Sequence, residues 1–145
     1  MQDTIKKTRE FQEVVETMDA HNFFAGDDEM NVFFKKQFHE KGKAVLLQVA
    51  EDLGFNESQY KIRYNKGGIC SPGQITLHSD FLYVDFLYGI KAKGLDGQIE
   101  RVEIVYRDCK GQSDTSGGVN NFFDYAALNN YPDVLGEFRK VVGLI

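Results

Sequence analysis

The sequence of 145 residues has no tryptophan and two cysteines, Cys70 and Cys109. A secreted scaffold stapled by disulfides usually carries more cysteines than this. No apolar run approaches the length that a membrane span requires, and residues 1–10 are polar and mixed in charge, without the apolar centre of a signal peptide. The sequence therefore predicts a cytoplasmic location without membrane contact.

Positively charged residues are also fewer than negatively charged ones. The chain has 17 Lys and Arg and 22 Asp and Glu, so its net charge is −5. An acidic chain repels phosphate backbones, so nucleic acid is not an expected partner. The histidines His21, His39 and His78 lack the paired spacing of zinc ligands, and the glycines match no nucleotide-binding fingerprint. We expect neither a metal nor a cofactor.

What the chain does contain is an average share of apolar residues, 42%, arranged in helical and then strand periods. Residues 1–145 are expected to form a single domain. Apolar spacing predicts one helix over Asp3–Asp19 and a second helical stretch from Asp27 to Gly54. Gly42 interrupts the second pattern, so either one helix runs through this glycine or two helices meet near it.

Four strands are predicted to follow: Lys61–Tyr64, Gln74–His78, Phe81–Tyr88, which is apolar on both faces and so expected to be central, and Ile99–Arg107. With a two-residue turn at Ser79-Asp80, Leu77 faces Leu82 across the second and third strands. In the same register Ile75 faces Val84, and every apolar pair falls on one face of the sheet. The opposite, outer face is predicted to be polar.

Residues 108–130 are predicted to form a long polar loop, and Asp133–Val142 a short closing helix after Pro132. The predicted fold class is α+β with two layers. In this fold the N-terminal helices and the short C-terminal helix pack on one face of a four-stranded antiparallel β-meander.

The densest polar segment, 107–121, is the predicted ligand-binding region. The planar fork of Arg107 suits a carboxylate or phosphate, and Gly117-Gly118 would supply backbone N–H groups. Asp114 would orient the loop. Because the chain reverses at each strand, His78 is expected at the same edge of the sheet. The hypothesis is a non-enzymatic binding or regulatory protein with an unknown small-molecule or protein partner, and self-association is possible.

Two alternatives remain open. The first is a small enzyme at this sheet edge, in which Cys109 curls back toward His78 and works with Arg107 and Asp114. The second is an anion- or RNA-binding surface on the basic and aromatic residues of the outer face. The same topology places Cys70 and Cys109 at opposite edges, so we expect no disulfide between them.

Overall fold

A computed structural model describes residues 2–20, 29–64, 73–93, 99–114 and 119–143. The helices are α1 (Gln2–Ala20), α2 (Glu29–Asp52) and α3 (Tyr131–Val142). The strands are β1 (Tyr60–Tyr64), β2 (Gly73–Ser79), β3 (Leu82–Lys93), β4 (Ile99–Asp108) and β5 (Asn121–Phe123). Short 3₁₀ helices span Glu57–Gln59 and Tyr125–Asn130.

The first helix forms where the apolar spacing predicted it. Phe11, Val15 and Met18 recur at helical spacing and are buried, while the charged positions between them face solvent. Phe11 is the centre of an aromatic cluster, with its ring 5.3 Å from Phe38 and 5.0 Å from Phe86. This stripe joins α1, α2 and the sheet in one core.

The second helix runs through Gly42 without a break. A Cβ at this glycine would lie 2.9 Å from the Ile75 side chain and 3.2 Å from that of Phe11. The glycine is therefore a point of close approach between α2, α1 and β2, where a side chain would not fit.

The sheet is an antiparallel meander of five strands in the order β1-β2-β3-β4-β5, and not of four. The additional strand is the three-residue β5, which pairs with β4 through Tyr106 and Asn121. The stretch predicted as one polar loop over 108–130 is thus divided by β5 and a 3₁₀ helix. Tyr125 and Leu128 of that helix enter the core, which explains why the segment is structured.

The register between β2 and β3 differs from the prediction by two residues, since Leu77 pairs with Val84. The turn consists of Asp80 and Phe81, and Ser79 organises it. The Ser79 hydroxyl accepts hydrogen bonds from the backbone N–H of Phe81 at 3.1 Å and of Leu82 at 2.7 Å. Because side chains alternate with a period of two, this shift leaves every residue on its predicted face.

The architecture has the two layers that the sequence predicted. The inner face of the sheet carries Ile75, Leu77, Val84 and Ile104, all fully buried beneath the helices. Helix α3 begins at Tyr131, two residues before the prediction, and ends at Gly143 in the left-handed conformation (φ 76°). Within the described ranges, no helix combines the length and apolarity needed to cross a bilayer.

Candidate functional site

Two residues of the predicted site, His78 and Arg107, lie in one row of the outer face. The register places His78 of β2 beside Tyr83 of β3, and Tyr83 beside Arg107 of β4. The rings of His78 and Tyr83 meet edge to face with their centroids 4.9 Å apart. The guanidinium carbon of Arg107 lies 4.3 Å from the centroid of the Tyr83 ring, in a cation–π contact.

The segment 109–114 folds back over this row, and three basic side chains hold it there by hydrogen bonds. His78 Nε2 donates to the Gly111 carbonyl at 3.0 Å, and Arg63 Nη2 donates to the Gln112 carbonyl at 3.0 Å. Arg107 Nη2 donates to the Asp114 carbonyl at 3.2 Å. The loop thus spans β1, β2 and β4, so the described part of the segment is ordered against the sheet.

Arg107 and Asp114 meet, but through the Asp114 main chain. The carboxylate of Asp114 accepts instead from the backbone N–H of Lys110 at 2.9 Å, which closes a turn inside the loop. Gly117 and Gly118, the other two residues of the predicted site, lie outside the described residues. The loop is tied down further by Gln112 Nε2, which donates to Asp80 Oδ1 at 3.1 Å.

Arg107 is buried although it carries a permanent charge; 4% of its surface is exposed. Its Nη1 donates to the Asp108 carbonyl at 3.1 Å, so its known acceptors are neutral carbonyls and an aromatic face. Within the described part of the chain, no carboxylate forms an ion pair with it. Buried charges are ordinarily paired, so a buried guanidinium without an ion pair distinguishes the site, although its charge also acts on the buried Asp85 nearby.

His78 is fully buried beside this cation. Because the Gly111 carbonyl can only accept, Nε2 carries the proton and Nδ1 is an acceptor. Nδ1 is buried and has no hydrogen-bond partner among the residues that the structure describes. Burial and, after it, the charge of Arg63 lower the pKa of His78, so the ring is neutral at pH 7.

A second polar row lies beside the first. The Thr76 hydroxyl donates to Oδ1 of Asp85, and Gln74 Nε2 donates to the same oxygen at 3.4 Å. Burial raises the pKa of Asp85, against the opposing effect of its hydrogen bonds. Burial and the neighbouring Asp85 raise the pKa of Tyr83 to about 12. The sequence placed Thr76 and Asp85 on the outer face, but nothing in their spacing indicated that they would be buried there.

Cys109 lies next to this cluster without joining His78. Its thiol donates to the Ser79 carbonyl at 3.0 Å, and the cysteine is free of any disulfide. Burial raises the pKa of Cys109, although the Arg107 charge opposes this shift. His78 and Cys109 are thus each bonded to a different main-chain carbonyl. The sequence predicted no disulfide between Cys70 and Cys109, and Cys70 lies outside the described residues.

The site offers hydrogen-bond donors and a cation, and not a set of metal ligands. Among the side chains that the structure describes, no group of three His, Cys, Asp or Glu is placed to hold a metal ion. No family model, curated protein or solved structure matches the chain. A functional assignment therefore depends on the chemistry of the residues themselves.

Proposed function

We propose that the protein is a small, non-enzymatic binding protein whose ligand is a small carboxylate or phosphate anion. The anion would sit on the outer face, between Arg107 and the loop 109–114. The observation that carries the proposal is the buried guanidinium of Arg107 without an ion-pair partner in the described chain. A charged oxygen is a much stronger acceptor for such a group than a neutral carbonyl.

The neighbouring donors support an anionic ligand. Arg63 and His78 donate to the same loop as Arg107, so three donor side chains converge on four consecutive residues, 111–114. In the proposal, ligand oxygens take the place of loop carbonyls at Arg107 and Arg63, and the loop shifts to admit them. The planar fork of Arg107 would hold a carboxylate or phosphate with two parallel hydrogen bonds.

Binding is preferred to the enzyme alternative because of Cys109. A nucleophilic cysteine needs a lowered pKa and a nearby base. Burial instead raises the pKa of Cys109, and its thiol is bonded to the Ser79 carbonyl. The proposal includes the cytoplasmic location, which the low cysteine content supports.

Thermal unfolding in the presence of inorganic phosphate, acetate or citrate tests the proposal. At about 100 times its Kd, a ligand that binds only the native state stabilises it by ~2.7 kcal/mol, which raises Tm by several degrees. The shift should be absent in Arg107→Gln, which removes the charge. It should persist in Lys43→Gln, which makes the same charge change at an exposed position on α2.

A second variant keeps the test valid if Arg107→Gln does not fold. Arg107→Lys keeps the charge but loses the fork, so we expect it to fold and to bind the anion about tenfold more weakly, the equivalent of one charged hydrogen bond. If none of these anions raises Tm, or if all variants respond equally, the anion-binding proposal is wrong.

A further inference from the structure

A second concave surface lies in the helical layer and shares no residue with the outer-face site. Two adjoining clefts, of about 340 and 400 Å³, open where α1, the end of α2 and the start of α3 meet. Both are lined by Thr4, Tyr131 and Pro132, which makes them one continuous groove. Small-molecule sites have volumes of roughly 300–1,000 Å³ and often form between helices.

The floor of the groove interrupts the apolar stripe of α1 with hydroxyl groups. Thr4 and Thr8 are one turn apart and both are buried, at positions where a core-facing helix usually carries apolar residues. The Thr8 hydroxyl donates back to the Ile5 carbonyl at 3.1 Å. The Thr4 hydroxyl makes no hydrogen bond with any described residue, so it offers the groove a free polar contact.

Apolar side chains form part of the wall of the first cleft, beside the polar Gln12 and Asn129. Ile5 leaves 51% of its surface exposed at one side, and Leu128 and Pro132 face it from the 3₁₀ helix and the start of α3. An exposed isoleucine opposite a leucine and a proline provides a surface that an apolar group would cover with a gain of about 25 cal/mol per Å² buried.

The charged side chains of the two clefts differ in whether they have hydrogen-bond partners. In the second cleft the polar groups bond to one another: the Tyr131 hydroxyl donates to Asp52 Oδ2 at 2.7 Å, and Gln48 Nε2 donates to Asp52 Oδ1 at 2.9 Å. Arg9 at the rim of the first cleft is exposed and contacts no described residue through hydrogen bonds or ion pairs. The carboxylate of Asp52 is therefore already engaged, while the cation of Arg9 is available.

We propose that this groove binds an amphipathic monoanion, namely a carboxylate with an unbranched apolar chain. The carboxylate would pair with Arg9 and accept from the Thr4 hydroxyl. The chain would lie on Ile5, Leu128 and Pro132. A cationic head group would meet Arg9 as a like charge, and a ligand without an apolar body would leave Ile5 uncovered.

The probes that separate these features are decanoate, decylamine and acetate, titrated into the ¹⁵N-labelled protein below the micelle concentration. Decanoate should shift the amide resonances of Thr4, Ile5 and Tyr131 in a saturable way. Decylamine has the same chain but a positive head group, and acetate has the head group without the chain. We expect neither of them to shift these three amides.

Matched charge reversals on α1 test the role of Arg9. Arg9→Glu should weaken decanoate binding at least about tenfold, because it removes one charged hydrogen bond and adds repulsion. Lys6→Glu makes the same change about one turn away on α1, at an exposed side chain that does not line the groove, and should change the Kd by less than about threefold. Both side chains are exposed, so both variants should fold.

Ile5→Asn examines the apolar contact independently of charge and should weaken decanoate binding while acetate remains inactive. The proposal is overturned if decanoate shifts amides scattered over the surface, if decylamine binds equally well, or if Arg9→Glu and Lys6→Glu have the same Kd. Binding of inorganic phosphate or acetate at Arg107 is a separate measurement, so either site can fail without the other.

Discussion

The two faces of the central sheet both carry buried side chains, but the means of burial differ. Leu77 and His78 are consecutive residues of β2, point to opposite faces and are each 0% exposed. Leu77 is covered by the helices and packs in the apolar core. His78 is covered by the loop 109–114 and is held by one hydrogen bond to Gly111.

The inner face needs only apolar surfaces of matching shape. Around Phe11 the rings of Phe38, Phe86 and Tyr125 lie with centroids 5.0 to 5.3 Å away, in tilted, stacked and edge arrangements. Such packing is non-directional and adds up over many contacts. Periodicity predicted Phe11, Phe38 and Phe86 in this layer, whereas Tyr125 fell in the predicted polar loop.

The outer face needs directional partners for each buried polar atom, and it lacks some of them. Arg107 has no carboxylate at ion-pair distance in the described chain, and Nδ1 of His78 has no partner. Buried polar groups that lack a hydrogen-bond or ion-pair partner occur mostly at functional sites, where some stability is given up so that the residues can bind or react. The comparison teaches that the inner face stabilises the fold and that the outer face is the better place to seek a ligand.

The largest expected effect comes from truncating the inner face. Leu77→Ala should lower the free energy of unfolding by about 2–4 kcal/mol, because a fully buried side chain is replaced by a cavity. Urea denaturation followed by circular dichroism measures the change. The neighbouring His78→Leu keeps most of the volume, loses one hydrogen bond and removes an unpaired nitrogen, so its effect should stay within about 1 kcal/mol.

A small cost at Leu77 together with a large cost at His78 would reverse the comparison. It would mean that the loop and its polar contacts hold the sheet together, and that the apolar layer contributes little. Equal costs at both positions would show that burial matters regardless of chemistry. Either result would remove the reason for seeking function on the outer face.

The sequence predicted the layers, four of the strands and the face of each residue, because these depend on periods of 3.6 and 2. The register of β2 with β3 was wrong because the Ser79 side chain stabilises a turn at Asp80-Phe81, a contact that alternation does not encode. The strand β5 was missed because three residues are too short for a periodic signal.

The sequence predicted where the candidate site lies, but not the contacts within it. Parity and chain reversal bring His78 and Arg107 to one row, and the register agrees with this placement. The loop contacts of Arg63 and Gln112, by contrast, depend on how 109–114 folds back, which is a tertiary property. Only one feature of the sequence could have indicated the groove at Thr4 and Tyr131, namely the two threonines on the core-facing side of α1.

An intermediate effect is expected from Gly42→Ala, which tests how tightly the inner layer is packed. The new methyl group would lie 2.9 Å from Ile75 and 3.2 Å from Phe11. Overpacking of this kind costs about 1–3 kcal/mol, and the higher helix propensity of alanine returns up to about 1 kcal/mol. In a helix that runs through this position, propensity by itself would make alanine neutral or stabilising, and the close approach reverses the sign.

The measurement is again the free energy of unfolding, with Gly136→Ala as the matched control. Gly136 is in the middle of α3, and a Cβ there meets nothing within 4 Å. We expect Gly136→Ala to be stabilising by up to about 1 kcal/mol through helix propensity. If the two variants behave alike, α2 can move away from β2 freely and the inner face is less tightly packed than its contacts indicate.

The smallest expected effect tests the outer face, through the pH dependence of Asp85→Asn. Burial raises the pKa of Asp85 above its ordinary value of 3.8. As the pH rises past that value, the unfolded chain loses its proton while the folded chain retains it, so this group progressively destabilises the native state until its folded pKa is passed. Asparagine does not titrate, and its side-chain oxygen still accepts from Thr76.

The stability of Asp85→Asn relative to the wild type should therefore increase as the pH rises above about 4. Burial lowers the pKa of His78, so that residue gives the opposite trend below pH 6.5; because both proteins contain it, its contribution cancels in the difference. Urea denaturation of both proteins across this range gives the difference directly. A difference that stays constant with pH would mean that the Asp85 carboxyl ionises as easily in the folded as in the unfolded chain. In that case water reaches the Asp85 carboxyl, and the outer face is less completely closed to solvent there than the inner face is beneath the helices.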